Sequence, residues 1–161
     1  NADKFGYKYI CVPPQMFNDQ IISSTLIRKL LKEGNILLAN RLLGTNFMLE
    51  GTVIRGAQLG RTIGFPTANI KYTPEIVQIP FGVYSARVNN RPAVLNWGMK
   101  PTVHNTKEPI VEVHIINFDG DLYGKNIEIE ITSKIRDEKK FRGLEELRTQ
   151  IEKDVKECLK L

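Results

Sequence analysis

Between residues 46 and 132 the chain consists largely of short runs with a period of two, and no other feature constrains its fold as strongly. Phe47, Leu49, Gly51 and Val53 alternate with Met48, Glu50, Thr52 and Ile54. Further strand-like runs cover 82–89, 92–97, 111–118 and 126–132, the last setting Ile127, Ile129 and Ile131 against Glu128, Glu130 and Thr132. Asn89-Asn90 and Asp119-Gly120 supply turn chemistry between neighbours, so antiparallel pairing is expected. Many short strands expose many edges, and closing the sheet on itself removes them. The expected fold is therefore mainly β, a small closed antiparallel barrel. Leu144, Leu147, Ile151, Val155 and Cys158 recur at spacings of three and four, which predicts a C-terminal helix laid on that barrel.

Upstream the period is helical. Ser23 or Ser24 caps a helix whose apolar face is Leu26, Ile27, Leu30 and Leu31, Gly34 interrupts it, and a second helix over 36–43 ends at Gly44. The change of period predicts a boundary near residue 45, with a helical segment over 1–45 and the barrel with its terminal helix over 46–161. A chain of 161 residues, 42% hydrophobic and 25% charged, suits one soluble core with a short attached piece. Cys11 and Cys158 lie at opposite ends, and the two histidines, His104 and His114, are ten positions apart. Neither a disulfide framework nor a zinc site is implied, and a reducing cytoplasm is expected. No apolar run reaches the ~20 residues of a membrane span, so no membrane partner is expected. The formal charge of +5 is shared unevenly: six basic residues face three acidic ones in residues 1–45, and acids interleave with bases beyond. Nucleic acid is not an expected partner, whereas a local phosphate site is compatible with this distribution.

Gly56, Gly60 and Gly64 stand at intervals of four before Pro66-Thr67-Ala68-Asn69, with Arg61 among them. Such a loop can bring backbone N–H groups against a phosphate and add a forked guanidinium, or it can simply be a series of turns. Neither a Walker loop nor a dinucleotide fingerprint is present. Pro66 favours extended geometry around it, so Thr67 and Asn69 point to one side. There their oxygens suit Mg²⁺ shared with substrate phosphates, or else pair across the sheet and cap a turn. Glu112 sits in an apolar strand run, a setting that favours a general base, although a solvated strand-face glutamate has the same pattern. His114 shares its face and could orient it. In the run 135–141, Arg136 and Phe141 could stack on a planar ligand, or the run could be a solvated connection.

Taken in order, these segments resemble the riboflavin kinase module of bacterial bifunctional FAD synthetases over about residues 46–160. The matching motifs are Gly56, Gly60-Arg61 and Gly64-Phe65-Pro66-Thr67-Ala68-Asn69-Ile70; Gly82-Val83-Tyr84; Asn96-Trp97-Gly98 with Pro101-Thr102; Glu112-Val113-His114; Asp119 to Gly124; and Ile135-Arg136 with Lys139-Lys140-Phe141. The resemblance implies a Greek-key barrel that makes FMN and ADP from riboflavin and MgATP. It implies Gly56, Gly60, Arg61, Thr67, Asn69 and Tyr123 at ATP, Thr67 and Asn69 at the metal, and Glu112 as catalytic base. Arg136, Lys139 and Phe141 would belong to the segment closing over the flavin. The run 22–28 is similar to the end of the family's FMN adenylyltransferase domain, which implies the C-terminal piece of a longer enzyme, unable to make FAD alone. Trp97 and Asn117 depart from the family's usual small aliphatic and Asp. The competing class is a non-catalytic barrel that binds a nucleotide, a flavin or single-stranded nucleic acid.

Overall fold

The computed structural model describes residues 2–8, 10–56, 58–73, 75–99 and 109–160. His104 and the Pro101-Thr102 pair lie outside the described residues. A short helix α1 (Ala2–Phe5) and a hairpin of β1 (Met16–Phe17) and β2 (Gln20–Ile21) precede α2 (Ser24–Lys32) and α3 (Ile36–Leu43). Then follow β3 (Phe47–Ile54), the single turn α4 (Leu59–Thr62), β4 (Ala68–Tyr72), β5 (Gly82–Val88), β6 (Arg91–Met99), β7 (Pro109–Ile115), β8 (Asn126–Asp137) and α5 (Leu144–Cys158). Ser23 caps α2 through a hydrogen bond from the Leu26 N–H, Asn35 caps α3, and Gly44 ends α3 at φ 74°.

Six strands close into an antiparallel barrel in the order β3-β4-β7-β6-β5-β8, with β8 paired back to β3. The meander β5-β6-β7 and the return of β8 to lie beside β5 make a Greek key. Asn89 and Asn90 take φ 49° and 62°, the left-handed pair required by a two-residue hairpin. Asp119-Gly120 does something different from the expected turn between neighbours. It lies in the connection from β7 to β8, two strands that do not pair, so this loop crosses one end of the barrel.

Alternation decides which side chains fill the barrel. Leu49, Val53, Ile70, Leu95, Val113 and Ile129 turn inward, and α2 and α3 add Leu30, Leu31, Ile36 and Ala39 to the same core. Asn40 fixes α3 to the sheet, donating to the Ile131 carbonyl at 2.9 Å and accepting from the Phe47 N–H at 2.8 Å. Trp97 is wholly buried inside the barrel, its ring centroid 5.3 Å from that of Tyr72, so its departure from the family pattern is a matter of core packing. Asn117 adopts φ 55°, a conformation that Asn tolerates well, just after β7.

The terminal helix packs Val155 and Cys158 on Val83, Val94 and Ile116 of the outer barrel surface. Leu144, the first residue of the apolar stripe, is exposed, and Asp154 is buried instead. Strand β8 runs past the expected end at residue 132 to Asp137, which brings Arg136 onto Asp154: Nε lies 3.0 Å from Oδ1 and Nη2 lies 2.8 Å from Oδ2. Truncating one partner of a buried pair leaves the other uncompensated. Asp154→Ala should lower the unfolding free energy by about 3 kcal/mol in a urea titration, whereas Glu157→Ala, in an exposed pair with Lys160, should leave the midpoint nearly unchanged.

Burial holds the Tyr84 hydroxyl well above its ordinary value, with the Asp137 charge adding to the effect, and burial also raises Tyr72. Above pH 10, about the unfolded value for tyrosine, the unfolded chain sheds protons that the native state keeps. Their contribution to stability is therefore complete below that pH and is lost as pH rises through the folded values. Ultraviolet titration should show two of the five tyrosines ionising above the ordinary tyrosine range.

Candidate active site

Ile54, Asn69, Glu112, Asn96, Val83 and Arg136 are successive Cα partners across β3, β4, β7, β6, β5 and β8. Directly opposed residues share a face, so these six form one row around the outside of the barrel, at about 4.8 Å per strand. Glu112 is half-buried in the middle of the row, between the two carboxamides of Asn69 and Asn96. The apolar neighbours that made Glu112 conspicuous in the sequence, Val111 and Val113, are on the opposite face and fill the core. His114 shares the outer face, but its Nδ1–H donates to the Pro66 carbonyl at 2.9 Å and its ring meets Phe65 edge-on at 5.4 Å. It braces the turn leading into Thr67 rather than orienting Glu112.

Two of the loop glycines permit close approaches. At Gly56 the backbone lies directly against the Asn69 carboxamide, and a Cβ there would overlap it. At Gly60 a Cβ would run into the Phe65 carbonyl, while the Gly60 carbonyl accepts from the Phe65 N–H at 2.8 Å. The loop thus folds back on itself, through the unanticipated turn α4, so that its backbone lies against Thr67, just before β4, and Asn69, within it.

Thr67 also lines a cavity of about 500 Å³ at the barrel end, together with Arg61, Pro66, Val113, Asp119 and Tyr123. Two contacts tie the walls of this cavity together. Gln58 Nε2 donates to Tyr123 Oη at 3.1 Å, and the Arg55 guanidinium lies 5.3 Å from the Tyr123 ring centroid. Gln58 and Arg55 were not singled out from sequence. Only the crossing of the β7–β8 connection brings Tyr123 to them.

At the other end of the row, Arg136, Lys139 and Phe141 come together. Arg136 lies 5.7 Å and Lys139 5.4 Å from the Phe141 ring centroid. The Arg136 edge is committed to Asp154 and to the Asp137 carbonyl, and Lys139 pairs with Glu146 at 3.1 Å. The Arg142 N–H and the Lys139 ammonium together hold the Glu146 carboxyl below the usual carboxylate range. The segment after β8 is thereby pinned to the start of α5.

The sequence profile of the flavokinase family, described as riboflavin kinase, matches residues 43–161. The chain belongs to the riboflavin kinase family. This family member is 43% identical over 148 residues to a bifunctional riboflavin kinase/FMN adenylyltransferase from Bacillus subtilis (strain 168), covering 88% of this chain and 47% of that one. It is 41% identical over 138 residues to the protein of the same name from Escherichia coli (strain K12), covering 83% and 44%. A crystal structure described as a macrolide-efflux protein from Streptococcus pneumoniae superposes with a TM-score of 0.84 at 32% identity, over 96% of this chain and 52% of that one. The chain spans about half the length of the curated relatives it matches. No helix among the described residues is long and apolar enough to cross a membrane.

The contact between Gly56 and Asn69 makes a testable demand on this riboflavin kinase fold. Gly56→Ala should cost about 1–2 kcal/mol in unfolding free energy when Asn69 is present and little in an Asn69→Ala background, as read from a double-mutant cycle.

Proposed function

We propose that this chain transfers the γ-phosphoryl group of ATP to the 5′-hydroxyl of riboflavin, giving FMN and ADP. The observation that carries this reading is the direct pairing of Asn69 with Glu112, which sets a hard oxygen donor and a proton acceptor side by side on one exposed face. Family membership supports the same reaction. A non-catalytic binding barrel would have no use for that adjacency.

Thr67 and Asn69 offer neutral oxygens from adjoining positions, and Asn69 is held in place over Gly56. That donor set fits a magnesium ion that takes its other ligands from the triphosphate and water. When bound, the ion neutralises charge on the phosphate oxygens. In the proposed complex Gly56, Gly60 and Arg61 lie along the phosphates, and Tyr123 borders the nucleotide in the cavity. Glu112 takes the proton of the 5′-hydroxyl as that oxygen forms its bond to the γ-phosphorus. The bond from the γ-phosphorus to the β,γ-bridging oxygen breaks, and ADP leaves with the electron pair. Positioning supplies most of the acceleration in such a reaction, because the transition state is loose. Arg136, Lys139 and Phe141 close the acceptor end, with Phe141 offering its ring to the flavin.

Residues 1–45 are read as the end of a preceding adenylyltransferase domain and 46–161 as the kinase domain, in keeping with the bifunctional names of the relatives. A reducing cytoplasm suits two free cysteines, one exposed and one buried. With riboflavin and MgATP the protein should produce FMN and ADP in equal amounts and no FAD. Glu112→Gln should keep the fold and the affinity for both ligands while losing about 10²–10⁴ in turnover, because an amide cannot accept the proton. Retained turnover in the folded variant would remove Glu112 from the reaction, and an absence of FMN from the wild-type assay would remove the kinase reading.

A further inference from the structure

We propose that Asn96 and Glu138 form a subsite that reads the hydroxyl-bearing chain of the phosphoryl acceptor, an inference that rests on the kinase reading above. Asn96 is the partner of Glu112 on the side away from Asn69, so it stands between the base and the segment that follows β8. Its outward position is half-buried in a strand whose inward residues, Ala93, Leu95 and Trp97, complete the core without it. Among the described residues its carboxamide has no hydrogen-bond partner, although it shares a row with Asn69, Glu112 and Arg136.

Two residues further along the same face, Gly98 leaves the strand surface bare, and the Glu138 carboxylate rests on it. A Cβ at Gly98 would run into Glu138 Oε1 and would lie 3.5 Å from Asn96 Nδ2. A carboxamide and a carboxylate therefore converge on one patch of barrel surface, one strand away from the proposed base.

The chemistry of the acceptor matches this patch. The reacting hydroxyl ends a chain of secondary hydroxyls that leads back to a planar ring system. With that terminal oxygen at Glu112 and the ring at Phe141, the chain passes over Asn96 and Gly98. Each hydroxyl is both donor and acceptor. A carboxamide can answer it in either sense, and a carboxylate can take its proton side. An unbranched apolar chain would leave both groups facing it without partners, which is how a polar site rejects an analogue lacking hydroxyls.

The test compares riboflavin with a flavin carrying a 5-hydroxypentyl chain, which keeps the terminal hydroxyl and lacks the three secondary ones. Wild type, Asn96→Ala and Glu138→Gln are assayed for kcat/KM with each acceptor and for KM for ATP, and acceptor affinity is read independently from quenching of flavin fluorescence. Asn96→Ala should lose about tenfold with riboflavin and less than twofold with the analogue, at unchanged KM for ATP. Glu138→Gln, at an exposed position that does not endanger folding, should lose less but in the same direction, and Asn96→Ser should recover part of the loss. Equal losses on both acceptors would make Asn96 a support for Glu112 or for the fold and would overturn the proposal, as would no loss on either. In those cases wild-type turnover of riboflavin stands. Wild type that phosphorylates neither acceptor would remove the kinase reading itself, and this subsite with it.

Discussion

The register between β4 and β7 is the constraint on which everything chemical in this molecule depends. Asn69 opposes Glu112 because Ile70 and Val111, and Ala68 and Val113, are held together in the barrel interior. A slip of one residue would turn Glu112 into an apolar core and expose its valine neighbours, a rearrangement made costly by both charge burial and lost hydrophobic contact. The face that carries Glu112 is thus specified by the residues pointing away from it. Closure of the barrel extends that specification around the whole row from Ile54 to Arg136, since each strand's register is fixed by two neighbours rather than one.

Much of the architecture was legible because it rests on local signals. Period-two alternation marked the strands, Ser23 and Gly44 marked helix ends, and Asn89-Asn90 marked a hairpin. What escaped was non-local. Asp119-Gly120 looks like a hairpin turn, but the partner of a strand is chosen by the whole barrel, and β7 and β8 do not pair. The burial of Asp154 has no local signal, since it follows from β8 extending beyond its alternating stretch and delivering Arg136, eighteen residues upstream, to it. Glu112 was visible through its contrast with neighbouring valines, whereas Asn96 was visible only as part of a motif shared with the family and carried no role of its own. Its significance lies in facing Glu112 across a strand boundary.

Two groups of residues lie to either side of Glu112. On one side of Glu112 lie Asn69, Thr67 and the cavity beneath the glycine-bearing loop, and on the other lie Asn96, Gly98 and the segment pinned by Asp154 and Glu146. A glycine serves each side by letting a polar side chain lie flat on backbone, Asn69 over Gly56 and Glu138 over Gly98. The proposed reaction needs two substrates brought to one carboxylate, and the barrel offers Glu112 near the midpoint of a row of paired strands.

The β7–β8 connection has a mechanical consequence. Because it links strands that are not neighbours, the cavity wall carrying Asp119, Asp121 and Tyr123 lies outside every ladder of the sheet. The row through Glu112 has no such freedom, since its four central members, Asn69, Glu112, Asn96 and Val83, are each a rung in two ladders at once. The cavity wall can therefore adjust its shape without disturbing the sheet, whereas a displacement in the middle of the row would have to move two neighbouring strands with it.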